Sequence, residues 1–179
     1  MVTVSFHTKN IDHSFAEIMT MLVTGFVSGN EQMPIEIVRE NGDTTVCPQM
    51  TNYPRNVYYA AGASFSDKTT VVCGGYEGNG NGYRSECYKL IKSSWESFGQ
   101  LQTARASHAA TSIGDSIWFT GGDGYGNCAL LSTTHICDLI TTEILRNDGT
   151  ISAGPNLPEP RRSHCQATFG NTILLIGKL

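Results

Sequence analysis

Charge is scarce in this chain. Asp, Glu, Lys and Arg make up 16% of its 179 residues, against about 25% in a typical soluble domain. The twelve Lys and Arg stand singly apart from Arg161-Arg162, and the net charge is −4. A surface with no basic cluster argues against nucleic acid and against an anionic membrane as partners. Long hydrophobic runs are missing too. The longest apolar stretch, around Ile18–Val27, is broken by Thr20, Thr24 and Gly25, far short of the roughly 20 residues that a bilayer requires. No basic start followed by an apolar run opens the chain, so no secretory signal is visible. The eleven asparagines include no Asn-x-Ser/Thr acceptor, and the six cysteines (47, 73, 87, 128, 137, 165) show no C-x-x-C spacing. These absences favour the cytoplasm, with an extracellular location open if the N-terminus is incomplete.

Helical periodicity is also absent. Only Ser14–Leu22 can be read as helical, and the Val23-Thr24-Gly25 that follows it has strand character. What is present is glycine, 19 residues of it, placed at the ends of short apolar or alternating runs. Leu22-Val-Thr, Thr70-Val-Val-Cys, Ser116-Ile-Trp-Phe-Thr and Thr172-Ile-Leu-Leu-Ile each stop at a glycine, and polar connections separate them. The fold class is all-β.

The glycine stops are periodic. Val72-Cys73-Gly74-Gly75 and Phe119-Thr120-Gly121-Gly122 lie 47 residues apart; Leu175-Ile176-Gly177-Lys178 follows 56 later, and Val23-Thr24-Gly25-Phe26 precedes by 49. Ala104-Arg105-Ala106-Ser107-His108 returns as Pro160-Arg161-Arg162-Ser163-His164 with the same offset of 56. Pro54-Arg55-Asn56-Val57-Tyr58 reads as a degenerate copy, and His13 keeps only the histidine of another. Tyr88, Trp95 and Leu101 fit a strand, an indole and a return strand. A longer period of 107 residues relates Glu36-Ile-Val-Arg-Glu-Asn-Gly42 to Glu143-Ile-Leu-Arg-Asn-Asp-Gly149, as two alternating repeat types would produce.

These motifs resemble a kelch repeat array: an Arg-x-x-His lead-in, a strand closed by Gly-Gly, then spaced Tyr and Trp, about every 50 residues. The resemblance covers residues 10–179, with residues 1–9 an N-terminal extension or degenerate strand. It implies a β-propeller of three to four four-stranded blades, at residues 10–53, 54–102, 103–158 and a truncated 159–179. In such a blade the second strand runs near the propeller axis, so its exit needs glycine. Gly74, Gly75, Gly121, Gly122, Gly177, Arg105, His108, Arg161 and His164 take motif positions. Trp95 and Trp118 are expected to be buried between blades. The resemblance also implies protein binding, since kelch propellers dock partner segments on a loop face, often within ubiquitin ligases. This chain has no room for the BTB and BACK domains of such adaptors. Blade edges left open by a partial array would favour self-association.

The candidate binding residues are Tyr76, Tyr83, Arg84, Tyr125 and Arg162, on the loops at 76–84 and 123–128 and the lead-in at 158–163. The same loops also read simply as connectors, and Arg105 and Arg161 as arginines bonding the neighbouring blade. Gly78-x-Gly80-x-Gly82 lacks the following helix and the Gly-Lys-Ser/Thr of a phosphate loop. His135-Ile-Cys137, Cys128 and His164-Cys165 have no metal-site spacing, so neither a metal nor a cofactor is expected. Asp67 and Asp115 read as turn residues, and Glu36 with Glu143 as a structural repeat rather than an acid–base couple. A catalytic set is not found. The alternatives are an enzyme resembling galactose oxidase or another sugar-active propeller, and an extracellular structural module. Cys73 and Cys87 can meet at the end of one strand and the start of the next, but buried free thiols are the cytoplasmic expectation.

Overall fold

The computed structural model describes residues 51–78, 82–125 and 136–177, together with strands at 2–4, 21–24, 36–38 and 44–46. His13, Gly25, Phe26, Cys47, Cys128, Lys178 and the side chain of Glu36 lie outside the described residues. Within it every regular element is a strand, as the short glycine-stopped runs require.

The first sheet comprises β1 (Val2–Val4), β2 (Met21–Thr24), β3 (Glu36–Val38) and β4 (Thr44–Val46), antiparallel and in that order. The next region supplies β5 (Val57–Tyr58), β6 (Ala61–Ser64), β7 (Thr70–Cys73), β8 (Tyr76–Glu77), β9 (Gly82–Tyr83), β10 (Glu86–Ile91) and β11 (Ser94–Gln100). Here β6-β7-β10-β11 form a four-stranded meander, while β5-β8-β9 form a small sheet at one end. The pattern repeats with β12 (Ala109–Ile113), β13 (Ser116–Thr120), β14 (Asp123–Tyr125), β15 (Ile136–Asp138), β16 (Thr142–Arg146) and β17 (Ile151–Ala153). The meander is now β12-β13-β16-β17, and β14–β15 is the small ribbon. A last hairpin joins β18 (Cys165–Phe169) to β19 (Thr172–Ile176). Neighbouring sheets touch through their first strands: β1 against β6, β6 against β12, β12 against β18. The protein is thus an all-β series of propeller blades.

Alternation along the strands builds the space between blades. Val71 and Cys73 on β7, with Ala63, Phe65, Cys87 and Leu101, meet Ile117, Phe119 and Leu145 of the next blade in one buried cluster. The opposite face of the same sheet turns Val72, Tyr88 and Trp95 toward Tyr53 and Ala60.

Four expectations change. The innermost strand of each blade is the first, not the second. The glycine pairs are needed because the next blade's lead-in crosses there: Gly75 donates its N–H to the Arg105 carbonyl and Gly122 to that of Arg161, each at 2.8 Å. Both glycines have positive φ, and a Cβ on Gly122 would sit 2.5 Å from the Ala106 carbonyl oxygen. The degenerate lead-in is offset. Tyr59, Ser107 and Ser163 share a positive φ of 57°, 53° and 52°, so Val57–Ala60, not Arg55–Tyr58, matches Arg105–His108. Trp118, like Trp95, is only half-buried: it shares the β13 face with Thr120, and among the described residues that face meets His164 and the hairpin β18–β19. Finally, Cys73 and Cys87 are not free thiols. They are directly paired across β7 and β10, with Cα atoms 4.1 Å apart, and form a disulfide; Cys137 is disulfide-bonded as well.

Candidate functional site

The glycine turns determine what stands at the loop face. After Gly74-Gly75 the chain runs straight into Tyr76 and Glu77 of β8; after Gly121-Gly122 it runs into Asp123 of β14. Asp123 is pinned by its backbone, which exchanges hydrogen bonds with Ala106 of the lead-in at 2.8 and 2.9 Å. Its side chain is almost wholly enclosed, with the residue 9% exposed.

Three tyrosines gather around it. Tyr83 stands edge-to-face against Tyr76 at 5.2 Å and against Tyr125 at 5.0 Å between ring centres. The Tyr83 hydroxyl donates to Asp123 Oδ2 at 2.7 Å. Burial, and then this bond to a carboxylate, push the Tyr83 phenol above its usual range. Gly82, at φ +74°, lets the Tyr125 ring lie close, since a Cβ there would come within 3.1 Å of its hydroxyl. Tyr125 itself is 56% exposed. Two ion pairs flank the rings: Arg84 with Glu77, and Arg162 Nε with Asp138 Oδ1 at 3.3 Å.

The five candidate residues therefore separate. Tyr76, Tyr83 and Tyr125 form one cluster, with Arg84 at its edge; Arg162 belongs to the rim beside Asp138, which pairs in register with Asp123 across β14–β15. Tyr83 and Arg84 are half-buried and bonded within the fold, so Tyr125 and Arg162 are the groups that face outward. Sequence reasoning missed Asp123. Its signal was the Gly-Gly-Asp-Gly-Tyr run, where a carboxylate follows glycines that force close packing.

The motif residues lie deeper. Arg105 is fully enclosed and donates to Glu143 Oε1 at 2.6 Å, to the Gly121 carbonyl at 2.8 Å and to the Thr141 carbonyl at 3.0 Å. Glu143 also accepts the backbone N–H groups of Gln102 and Thr103, so its place in the strand is structural. Burial pushes His108 far below the usual imidazole range, with Arg105 and His164 adding like-charge repulsion. Burial and Arg161 lower His164 in the same way. His164 Nε2 meets the Thr120 hydroxyl at 2.8 Å, and that hydroxyl donates to Gln166 Oε1 at 2.5 Å. Asp67 accepts the Thr69 N–H at 2.8 Å, as a turn residue does. Among the described residues no group of three or more His, Cys, Asp or Glu is arranged to hold a metal ion.

No family model matches the chain. It is similar to Kelch-like protein 36 of Rattus norvegicus and of Mus musculus, at 31% identity over 122 residues, covering 66% of this chain and 19% of each relative. It is also similar to the serine/threonine-protein phosphatase BSL2 of Arabidopsis thaliana, at 32% identity over 92 residues, covering 50% of this chain and 9% of that protein. The chain therefore spans less than a fifth of the curated relatives it matches. The likeness to Kelch-like protein 36 and the antiparallel blades together fit a kelch-type repeat.

Proposed function

We propose that this chain is a kelch-type propeller segment whose loop face, centred on Tyr76, Tyr83 and Tyr125 with Arg84 and Arg162 at its rim, binds another protein rather than carrying out catalysis. The observation behind this reading is an exposed aromatic ring, Tyr125, held on a rigid base of glycine turns, interlocked rings and ion pairs. Tyrosine and arginine on such a base lose little side-chain freedom on binding, which is what an interface anchor needs. The test is quantitative affinity capture from the native source with the double variant Tyr125→Ala/Arg162→Ala. Specific partners should fall at least fivefold, with the melting temperature within a degree of the parent. Unchanged capture, with loss instead on mutating the opposite hairpin tips at Lys92 and Gly170, would overturn the assignment of this face.

A second contact surface has its own support. Phe169, Leu174 and Ile176 of β18–β19 are 79%, 47% and 65% exposed, on a hairpin that has two strands among the described residues where the preceding blades have four. An open, apolar edge favours pairing with a second copy. Sedimentation at micromolar concentration should show self-association; a sharp monomer would refute it. As for compartment, the cytoplasmic reading rests on absences. The Cys73–Cys87 bridge favours an oxidising setting, which thiol mapping in native material would decide.

A further inference from the structure

We propose that the Asp123 cluster receives an arginine side chain of the protein partner. This rests on the reading that the loop face binds protein, and it supplies the chemistry of what is bound.

The argument begins with charge. Glu77 is paired with Arg84 and Asp138 with Arg162. Asp123 has no such cation among the described residues. Its Oδ2 accepts the Tyr83 hydroxyl, but its Oδ1 is buried and has no hydrogen-bond partner among the described residues. A buried carboxylate oxygen left unmade is expensive. The β14–β15 register adds to the demand, because Asp123 stands directly opposite Asp138, and like charges in opposed strand positions repel. Among the described residues, the site is therefore one positive charge short.

The surrounding rings narrow the choice of cation. Ring faces attract positive charge, and Tyr125, the most exposed of the three, offers the ring against which an incoming group can lie. A guanidinium is flat, stacks on aromatic faces and is weakly hydrated, so it enters a part-buried site at less cost than an ammonium. One nitrogen donates to Oδ1 while the plane lies against Tyr125.

The probes are three blocked tripeptides, Ac-Gly-X-Gly-NH2, with X as arginine, citrulline or lysine. They are titrated into the full chain while the amide resonances of Gly124 and Tyr125 are followed. The arginine peptide should saturate these shifts at about millimolar concentration, with citrulline at least tenfold weaker and lysine at least threefold weaker. Asp123→Asn keeps an acceptor for Tyr83 and should lose at least fivefold. Tyr125→Leu changes an exposed side chain, should fold normally, and should lose at least threefold.

Citrulline or lysine binding as well as arginine would overturn the proposal. So would full affinity in both variants, or shifts confined to other surfaces. Failure of the peptides while Tyr125→Ala/Arg162→Ala still reduces partner capture would sink this inference and leave the binding face standing. Loss of neither would remove the binding face itself.

Discussion

The two complete neighbouring blades share a backbone but not a chemistry. In the β6-β7-β10-β11 sheet, Cys73 and Cys87 tie the second strand to the third. In the β12-β13-β16-β17 sheet, the same two positions hold Thr120 and Thr142, both buried and also directly paired. Behind the first sheet, Tyr53 packs edge-on against Tyr88 and Trp95 at 5.5 and 5.1 Å, and Arg55 reaches the Tyr88 hydroxyl at 3.3 Å. At the position matching Tyr88, the second sheet has Glu143, held by Arg105. Each blade must fasten its lead-in to its third strand. One does so with aromatic rings, the other with an ion pair; between second and third strands, one has a covalent bridge and the other paired threonines.

The largest effect expected from breaking this contrast is at Glu143. Glu143→Ala strands a buried guanidinium and two backbone N–H groups, and should cost about 3–5 kcal/mol, read as a lowered urea midpoint. A loss under 1 kcal/mol would mean that Arg105 finds other acceptors. Next is the bridge, which closes a loop of sequence separation 14. Cys73→Ala with Cys87→Ala should cost about 3 kcal/mol by the same measurement. The converse double variant, Thr120→Cys with Thr142→Cys, should form a bridge detectable as lost free thiol, because both pairs occupy the same non-hydrogen-bonded register. Third is Trp118, whose counterpart Val71 is fully enclosed. As it is half-buried, Trp118→Ala should cost about 2 kcal/mol, below the ~3–5 kcal/mol of a fully buried indole. In a Trp95→Phe background, Trp118 fluorescence should be partly quenched by iodide.

The smallest effect is in pH. His108 and His164 are held below their ordinary pKa by burial. The unfolded chain therefore takes up protons below about pH 6.5 that the folded chain refuses. Stability should be level above that pH and fall as pH drops through it, by at most about 1.4 kcal/mol per unit for each histidine. Melting curves from pH 7.5 to 5 should show the decline, with a shallower slope in His164→Gln. A flat profile would mean that the imidazoles charge freely in the fold.

What was legible in the sequence follows from which positions allow few residue types. Glycine is nearly obligatory where a neighbouring backbone passes, so Gly74-Gly75 and Gly121-Gly122 marked the ends of β7 and β13. The lead-ins at Arg105 and Arg161 were visible because both keep the arginine and histidine of the motif, of which Arg105, His108 and His164 are buried. Val57–Ala60 was not, since the positive φ at Tyr59 leaves no mark in residue type, and Arg55 offered a misleading match. The burial of Trp118 could not be read from its identity, because exposure depends on what packs over that face of β13. At the loop face, Tyr76, Tyr83 and Tyr125 stood out as aromatics in polar loops. Asp123 did not, because a carboxylate beside glycines usually signals a turn, and its partnership with Tyr83 spans 40 residues.

Where a lead-in crosses the preceding blade, the joint is made from main-chain atoms. Gly75 N–H meets the Arg105 carbonyl, Gly122 N–H meets that of Arg161, and Ser163 N–H meets the Ser107 carbonyl as Ser107 N–H meets that of Tyr59. A joint of this kind is indifferent to side-chain drift: Tyr59 and Ser107 do the same work with unrelated side chains. A blade copied beside another keeps these main-chain bonds without a matched pair of mutations, while its buried face must still fit that of its neighbour. At these crossings each copy is then free to diverge except at its glycines, so strand spacing there outlives residue identity.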